Sequence, residues 1–84
     1  SQFLNEKKII EHLSKAVELA PEDARYPYHL GLTLAALGER AAAIQAYTRA
    51  LALDPANSDA RRRLAELEVS RELMTGGRAR RNRS

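Results

Sequence analysis

The 84 residues suffice for one small domain that buries roughly 60–65% of its unfolded surface, which excludes a second independent core. The absence of cysteine excludes disulfides and thiolate metal sites, and it leaves the compartment open, with the cytoplasm slightly favoured. The net charge of +3 is uneven, because residues 1–57 carry six Lys or Arg against seven Asp or Glu, whereas residues 58–84 carry eight Arg against four acids.

The composition favours helices, and the apolar runs are too short to span a membrane. Only 5% of the residues are aromatic, and Gly and Pro number 4 and 3, so we expect an all-α chain. The longest apolar run, LGLTLAALG at residues 30–38, is far shorter than the roughly 18–20 residues that cross a bilayer. The start SQFLNEKKII lacks a signal-peptide layout, and its non-Met beginning inside a predicted helix leads us to expect a segment of a longer protein.

The first two predicted helices are separated by a proline turn. The first runs from about Phe3 to Leu19 and ends before Pro21. The second starts no earlier than about Ala24, because Pro27 lacks an N–H and is tolerated only in the first helical turn. Its apolar stripe, Leu30, Leu34 and Leu37, is followed by Gly38, a typical helix end.

The third helix carries a second apolar stripe and must end before Pro55. Its members are Ala43, Ile44, Tyr47, Ala50 and Leu51. A fourth helix runs from about Ser58 to Met74, and either Asn57 or Ser58 can cap its first N–H groups. Its one-sided stripe consists of Ala60, Leu64, Leu67 and Met74. Residues 76–84 hold no apolar side chain larger than Ala, so we expect a disordered basic tail.

The chain repeats itself at a fixed distance. VELAPEDA at residues 17–24 returns as LALDPANS at residues 51–58, which sets Pro21 and Pro55 34 residues apart. The same shift superimposes apolar and small positions on both sides of the prolines: Ile10 on Ile44, Leu13 on Tyr47, Ala16 on Ala50, Leu30 on Leu64, and Gly31 on Ala65. A period of this size is typical of stacked helical pairs. We call this 34-residue offset the repeat shift.

These positions resemble the tetratricopeptide repeat family. The family pattern of Leu-Gly, then Ala, an aromatic, Ala and Pro is met in order by Leu30, Gly31, Ala43, Tyr47, Ala50 and Pro55. Two slots depart from it, because Pro27 and Leu34 stand where large or aromatic residues are usual. The resemblance implies an α-solenoid fragment of about four antiparallel helices, with a half repeat at 1–23, a full repeat at 24–57 and a capping helix at 58–75.

The last helix is expected to close the stack. Arg61 and Glu68 occupy the slots at which the family packs a second helix, and charges there predict that no second helix follows. The helical repeat domain would thus span residues 1–75.

The residues do not indicate catalysis. His12 and His29 lie on different predicted helices, and neither has a second His, Cys or carboxylate at a spacing that assembles a metal site within one helix. Glu66 and Glu68 point in different directions, and TGG at residues 75–77 lacks the context of a phosphate loop. We therefore expect neither an enzyme, nor a cofactor, nor a metal.

The resemblance implies a scaffold that binds a protein or peptide on the concave face formed by the first helices of each unit. Tyr28, Leu32 and Ala35 share a helix face that the stripe of Leu30 and Leu34 does not use, which predicts an apolar anchor with a polar rim. The full candidate set is Arg25, Tyr28, His29, Leu32, Ala35, Ala36, Arg62, Arg63 and Glu66. The arginines favour acidic partners. The family's capture of a C-terminal carboxylate uses Lys and Asn where this chain has Tyr28 and Leu32, so we do not expect it.

Two further expectations concern other partners. Arg61, Arg62 and Arg63 lie near a helix start, where one Arg62–Glu66 pair offsets little of the unfavourable charge, and with the tail they leave nucleic acid or an anionic membrane as the alternative partner. We do not expect nucleic acid, because no aromatics interleave with the arginines. The first helix lacks the neighbour that the repeat supplies, so we expect weak dimers.

Overall fold

The computed structural model describes residues 2–74, and the side chains of residues 5–69. Four helices follow one another: α1 (Gln2–Leu19), α2 (Arg25–Ala36), α3 (Arg40–Leu53) and α4 (Ser58–Met74). No strand occurs in this part of the chain, so the all-α prediction is confirmed. The predicted tail at residues 76–84 lies outside the described residues.

Short connections keep successive helices in contact. α1 packs on α2, α2 on α3, and α3 on α4, with residues 20–24, 37–39 and 54–57 as the three connections. Connections of this length bring neighbouring helices together as antiparallel pairs. The predicted unit of helix, tight turn, helix and proline turn is therefore the unit of the fold.

The turn between α2 and α3 is built on Gly38. Its φ of +81° lies in the left-handed region, which a residue without Cβ adopts at low cost. The N–H of Gly38 donates to the carbonyl of Ala35 at 3.0 Å, and that of Glu39 donates to the carbonyl of Leu34 at 2.9 Å. Both bonds satisfy carbonyls that the helix end would leave unpaired. The predicted helix stop at Gly38 is confirmed.

Side-chain oxygens accept backbone N–H groups at the starts of α2 and α4. The Asn57 Oδ1 accepts the N–H of Ala60 at 3.0 Å, which confirms one of the two predicted caps. The Asp23 Oδ1 accepts the N–H of Arg25 at 3.0 Å. Pro27 is fully buried in the first turn of α2, where its missing N–H breaks no helical bond. The restriction that Pro27 places on the start of α2 agrees with the observed start at Arg25.

The core lies where α2, α3 and α4 meet. Ala43, Ala50 and Ala60 are 0% exposed and Tyr47 is 1% exposed. The ring of Tyr47 lies on Gly31, where an added Cβ would come within 2.7 Å of the ring atoms Cδ1 and Cε1. Small residues at these positions therefore let the helices approach each other around one large ring.

Candidate functional site

The nine predicted site residues lie on α2 and α4. Arg25, Tyr28, His29, Leu32, Ala35 and Ala36 belong to α2, and Arg62, Arg63 and Glu66 belong to α4. The hydroxyl of Tyr28 donates a hydrogen bond to the Oδ2 of Asp59, which links the first turn of α2 to the first turn of α4. The structure thus connects the two helices through a side chain that the sequence assigned to the binding surface.

Asp59 collects three of the predicted residues around one carboxylate. Besides Tyr28, the Arg63 Nε donates to its Oδ2 at 3.0 Å, and a guanidinium nitrogen of Arg62 donates to its Oδ1. We call these four residues, Tyr28, Asp59, Arg62 and Arg63, the Asp59 cluster. The Tyr28 bond joins α2 to α4, whereas the two arginine bonds lie within the first turns of α4.

The cluster favours an ionised carboxylate. The hydrogen bonds from Tyr28 and then Arg63 lower the pKa of Asp59 below its ordinary value. The same bond to Asp59 raises the pKa of Tyr28, because the phenolate would face a carboxylate. The separate hydrogen bond that Arg63 donates to Asp59 raises the pKa of Arg63. At neutral pH the cluster therefore holds a negative carboxylate between two positive guanidinium groups and a neutral phenol.

The prediction that Tyr28, Leu32 and Ala35 form a face separate from the core is wrong. All three pack against the buried residues Ala43, Tyr47 and Ala60, and the ring centroids of Tyr28 and Tyr47 are 6.2 Å apart. The physical reason is that α2 contacts α1 and α3 while its Tyr28 reaches α4, so more of its circumference is covered than one stripe accounts for.

Five predicted residues remain exposed, and we call them the exposed set: Arg25, His29, Ala36, Arg62 and Glu66. The first three are separated by four and seven residues, and Leu32, half-buried, falls between them on the same side of α2. Arg25 and Asp23 form an ion pair at 2.6 Å, and this pairing lowers the pKa of Asp23 to about 2. Arg25 also lies over the ring of Tyr26, 5.6 Å from its centroid.

Sequence reasoning missed Asp59 as the centre of the site. Arg62 pairs with Asp59, three residues before it, and not with Glu66 as predicted. Asp59 precedes Arg62 and Arg63 at helical spacing, so the two arginine contacts were available as a signal. The hydroxyl of Tyr28 comes from another helix and could not be found by local spacing.

The described part of the chain holds no group of three or more His, Asp or Glu side chains that could bind a metal ion. Among the helices of residues 2–74, none has the length and apolar character needed to cross a bilayer.

Comparison with known proteins identifies one repeat. A family model described as tetratricopeptide repeat matches residues 28–57. This span contains most of α2, the Gly38 turn, all of α3 and the turn at Pro55. No curated protein matches the chain.

Repeats of this family generally mediate protein–protein interaction, and the family is typically a non-catalytic scaffold. The match falls on the unit that the repeat shift and the turn residues define independently. Residues 28–57 therefore match a tetratricopeptide repeat, and the paired helices of the described residues agree with that match.

Proposed function

We propose that the chain is an interaction scaffold that binds a segment of a partner protein along the surface of α2 and α4 that carries the exposed set. The observation that carries the proposal is the link between the Tyr28 hydroxyl and Asp59, which joins these helices at the base of that surface. A surface that is already held in one arrangement loses less entropy on binding. Tyr28 thus lies beneath this surface. We infer that its neighbours on α2 supply the anchor that the sequence had assigned to Tyr28.

The partner-facing strip of α2 follows from helical spacing. Arg25, His29, Leu32 and Ala36 are four, three and four residues apart, so they share one side of the helix. Leu32 and Ala36 supply apolar area, and Arg25 and His29 supply hydrogen-bond donors at the rim. On α4, Arg62 and Glu66 are four residues apart and lie on one side as well. We infer an extended or helical segment with a small apolar side chain as the occupant.

The preference for acidic partners is proposed as a modest one. Arg62 and Arg63 already bind Asp59, and Arg25 already binds Asp23. Each guanidinium has five N–H donors, so donors remain for a partner carboxylate. Glu66 is exposed, and its negative charge would repel an acidic partner segment nearby. The balance favours a segment that carries charges of both signs.

Selection of binding peptides from a displayed random library, followed by affinity measurements on two matched variants, tests this proposal. Ala36→Arg places a long charged side chain in the strip, whereas Gln45→Arg places it on an exposed position of α3. Because both positions are exposed, both variants should keep the helical circular dichroism of the parent. Ala36→Arg should weaken the binding of the selected peptides about tenfold or more, as expected for a residue that contributes strongly to an interface. Gln45→Arg should leave the affinity unchanged. Equal effects of the two variants on peptide affinity would show that the binding site does not lie on α2.

A further inference from the structure

Arg62 and Arg63 both bind the carboxylate of Asp59, but each binds a different oxygen. The Oδ1 of Asp59 accepts a hydrogen bond from a terminal guanidinium nitrogen of Arg62. The Oδ2 accepts one bond from the Arg63 Nε at 3.0 Å and another from the Tyr28 hydroxyl. Within the described residues the two oxygens therefore carry unequal bonds, because Arg62 alone holds Oδ1 whereas two side chains hold Oδ2.

The two arginines leave α4 in different directions, because successive residues of an α-helix point about 100° apart. Arg62 shares its side of α4 with Glu66, four residues further on, and both are exposed. Arg63 shares its side with Leu67, which packs against the core. The side chain of Arg62 is 63% exposed and that of Arg63 is 42% exposed. Arg62 is therefore the outer arginine of the Asp59 cluster, and Arg63 is the inner one.

Arg63 also acts on the buried ring of α3. Burial raises the pKa of Tyr47, and the positive charge of Arg63 nearby opposes that rise. Tyr47 is buried in the core, and its ring centroid lies 6.2 Å from that of Tyr28. Arg63 therefore takes part in the contacts that join α2, α3 and α4, whereas Arg62 bonds to Asp59 on the outer side.

We propose that Arg62 determines the preference of the surface on α2 and α4 for an acidic partner residue, by leaving the Oδ1 of Asp59 and binding a carboxylate of the partner while Arg63 stays on Oδ2. This inference rests on the proposed function and names the chemistry that the α4 part of that surface recognises. The exchange breaks one ion pair and forms another, so no covalent bond changes and no proton is transferred.

The exchange of Arg62 leaves Asp59 with partners. The carboxylate keeps the bonds of Tyr28 and Arg63 on Oδ2, and Asp59, whose side chain is 35% exposed, can bind water through Oδ1. Ion pairs between exposed groups contribute little to stability, so giving up the Arg62–Asp59 pair costs little. The same exchange by Arg63 would remove a donor from the oxygen that Tyr28 binds, next to the core. Arg62 is therefore the arginine that can leave.

The position of Glu66 limits how many acidic residues the partner carries. A guanidinium has five N–H donors in one plane, and two of them match the two oxygens of a carboxylate, so Arg62 is suited to bind one acidic side chain. Glu66 lies about one turn further along the same side of α4 and would repel a second carboxylate. The preferred partner segment therefore has a single acidic residue opposite Arg62, and not a run of them.

Selections from one displayed random peptide library with the parent and with single variants test the proposal. Peptides selected by the parent should be enriched in Asp or Glu at one position, and those selected by Arg62→Gln should not. Arg63→Gln removes the same charge from the next residue, and Arg49→Gln removes it from an exposed position of α3, so both should keep the enrichment. Arg62→Lys keeps the charge without the planar donors and should keep part of it.

Affinities of one enriched peptide and of its analogue with the acidic residue changed to the amide measure the size of the effect. The parent should bind the acidic form about two- to fivefold more tightly, which is the range of an exposed ion pair. Arg62→Gln should bind both forms equally. The preference of the parent should also decrease as the salt concentration rises, because exposed charges are screened.

Several results would overturn the proposal. Equal loss of the acidic enrichment in Arg62→Gln and Arg49→Gln would show that net charge alone sets the preference. Loss in Arg63→Gln but not in Arg62→Gln, with unchanged circular dichroism, would assign the carboxylate to the inner arginine. Peptides without acidic enrichment that Ala36→Arg still weakens would overturn this inference and leave the proposed function in place. A parent that selects no peptide at all would contradict both.

Discussion

Gly31 of α2 lies in close contact with the ring of Tyr47 of α3. Gly31→Ala should lower the free energy of unfolding by about 1–3 kcal/mol, because the new Cβ would lie 2.7 Å from the ring. Urea unfolding measures this change. In combination with Tyr47→Leu the loss from Gly31→Ala should be smaller, since the ring is gone. Equal losses in the two backgrounds would show that the ring is not what excludes the methyl group.

Tyr28 controls the ionisation of Asp59. Tyr28→Phe removes the hydroxyl that lowers the pKa of Asp59 most, so that pKa should rise towards the ordinary Asp value. An NMR titration of the Asp59 carboxyl carbon measures it. Tyr26→Phe is the control, since the Tyr26 hydroxyl makes no hydrogen bond to Asp59. An unchanged Asp59 pKa in Tyr28→Phe would mean that the arginines alone set it.

The same variant changes the acid stability in a defined direction. The lowered pKa of Asp59 means that its contribution to stability is present above the unfolded value of about 3.9 and is lost as the pH falls through the folded value. Tyr28→Phe should bring the folded pKa of Asp59 closer to the unfolded value, so less stability is lost as the pH falls. Its free energy of unfolding should therefore fall less steeply below about pH 4 than that of the parent.

At the scale of elements, Ala43 tests whether helix packing requires small residues. Ala43 is 0% exposed in the core, so Ala43→Leu should overpack the helix contacts and cost about 1–3 kcal/mol of stability. Ala52→Leu introduces the same side chain at an exposed position of α3 and should have little effect. Thermal unfolding of both variants measures the difference. Matching midpoints would contradict the assigned packing.

The sequence was sufficient to predict the elements, because their limits depend on local chemistry. Gly38 ends α2 through its positive φ, Asn57 caps α4, and Pro27 restricts the start of α2. The repeat shift alone defines the 34-residue unit. The division of α2 into a core face and a binding face failed, because the contact of Tyr28 with Asp59 joins residues 31 positions apart on different helices.

At the scale of the whole molecule, the repeat makes each unit depend on its neighbours. The core lies where α2, α3 and α4 meet, because its buried residues come from α3 and α4 and side chains of α2 pack against them. The surface of α2 and α4 that carries the exposed set lies outside this core. Partner binding is therefore proposed on a surface that the shared core positions.

The most direct test of the proposed function is a map of amide chemical-shift changes as a library-selected peptide is added to the isotope-labelled chain. The largest changes should fall on α2 and α4 around His29, Ala36, Arg62 and Glu66, with the exposed α3 positions Gln45 and Arg49 unaffected. Changes concentrated on α3, or on the outer side of α1, with none on α2 and α4, would contradict the proposed site.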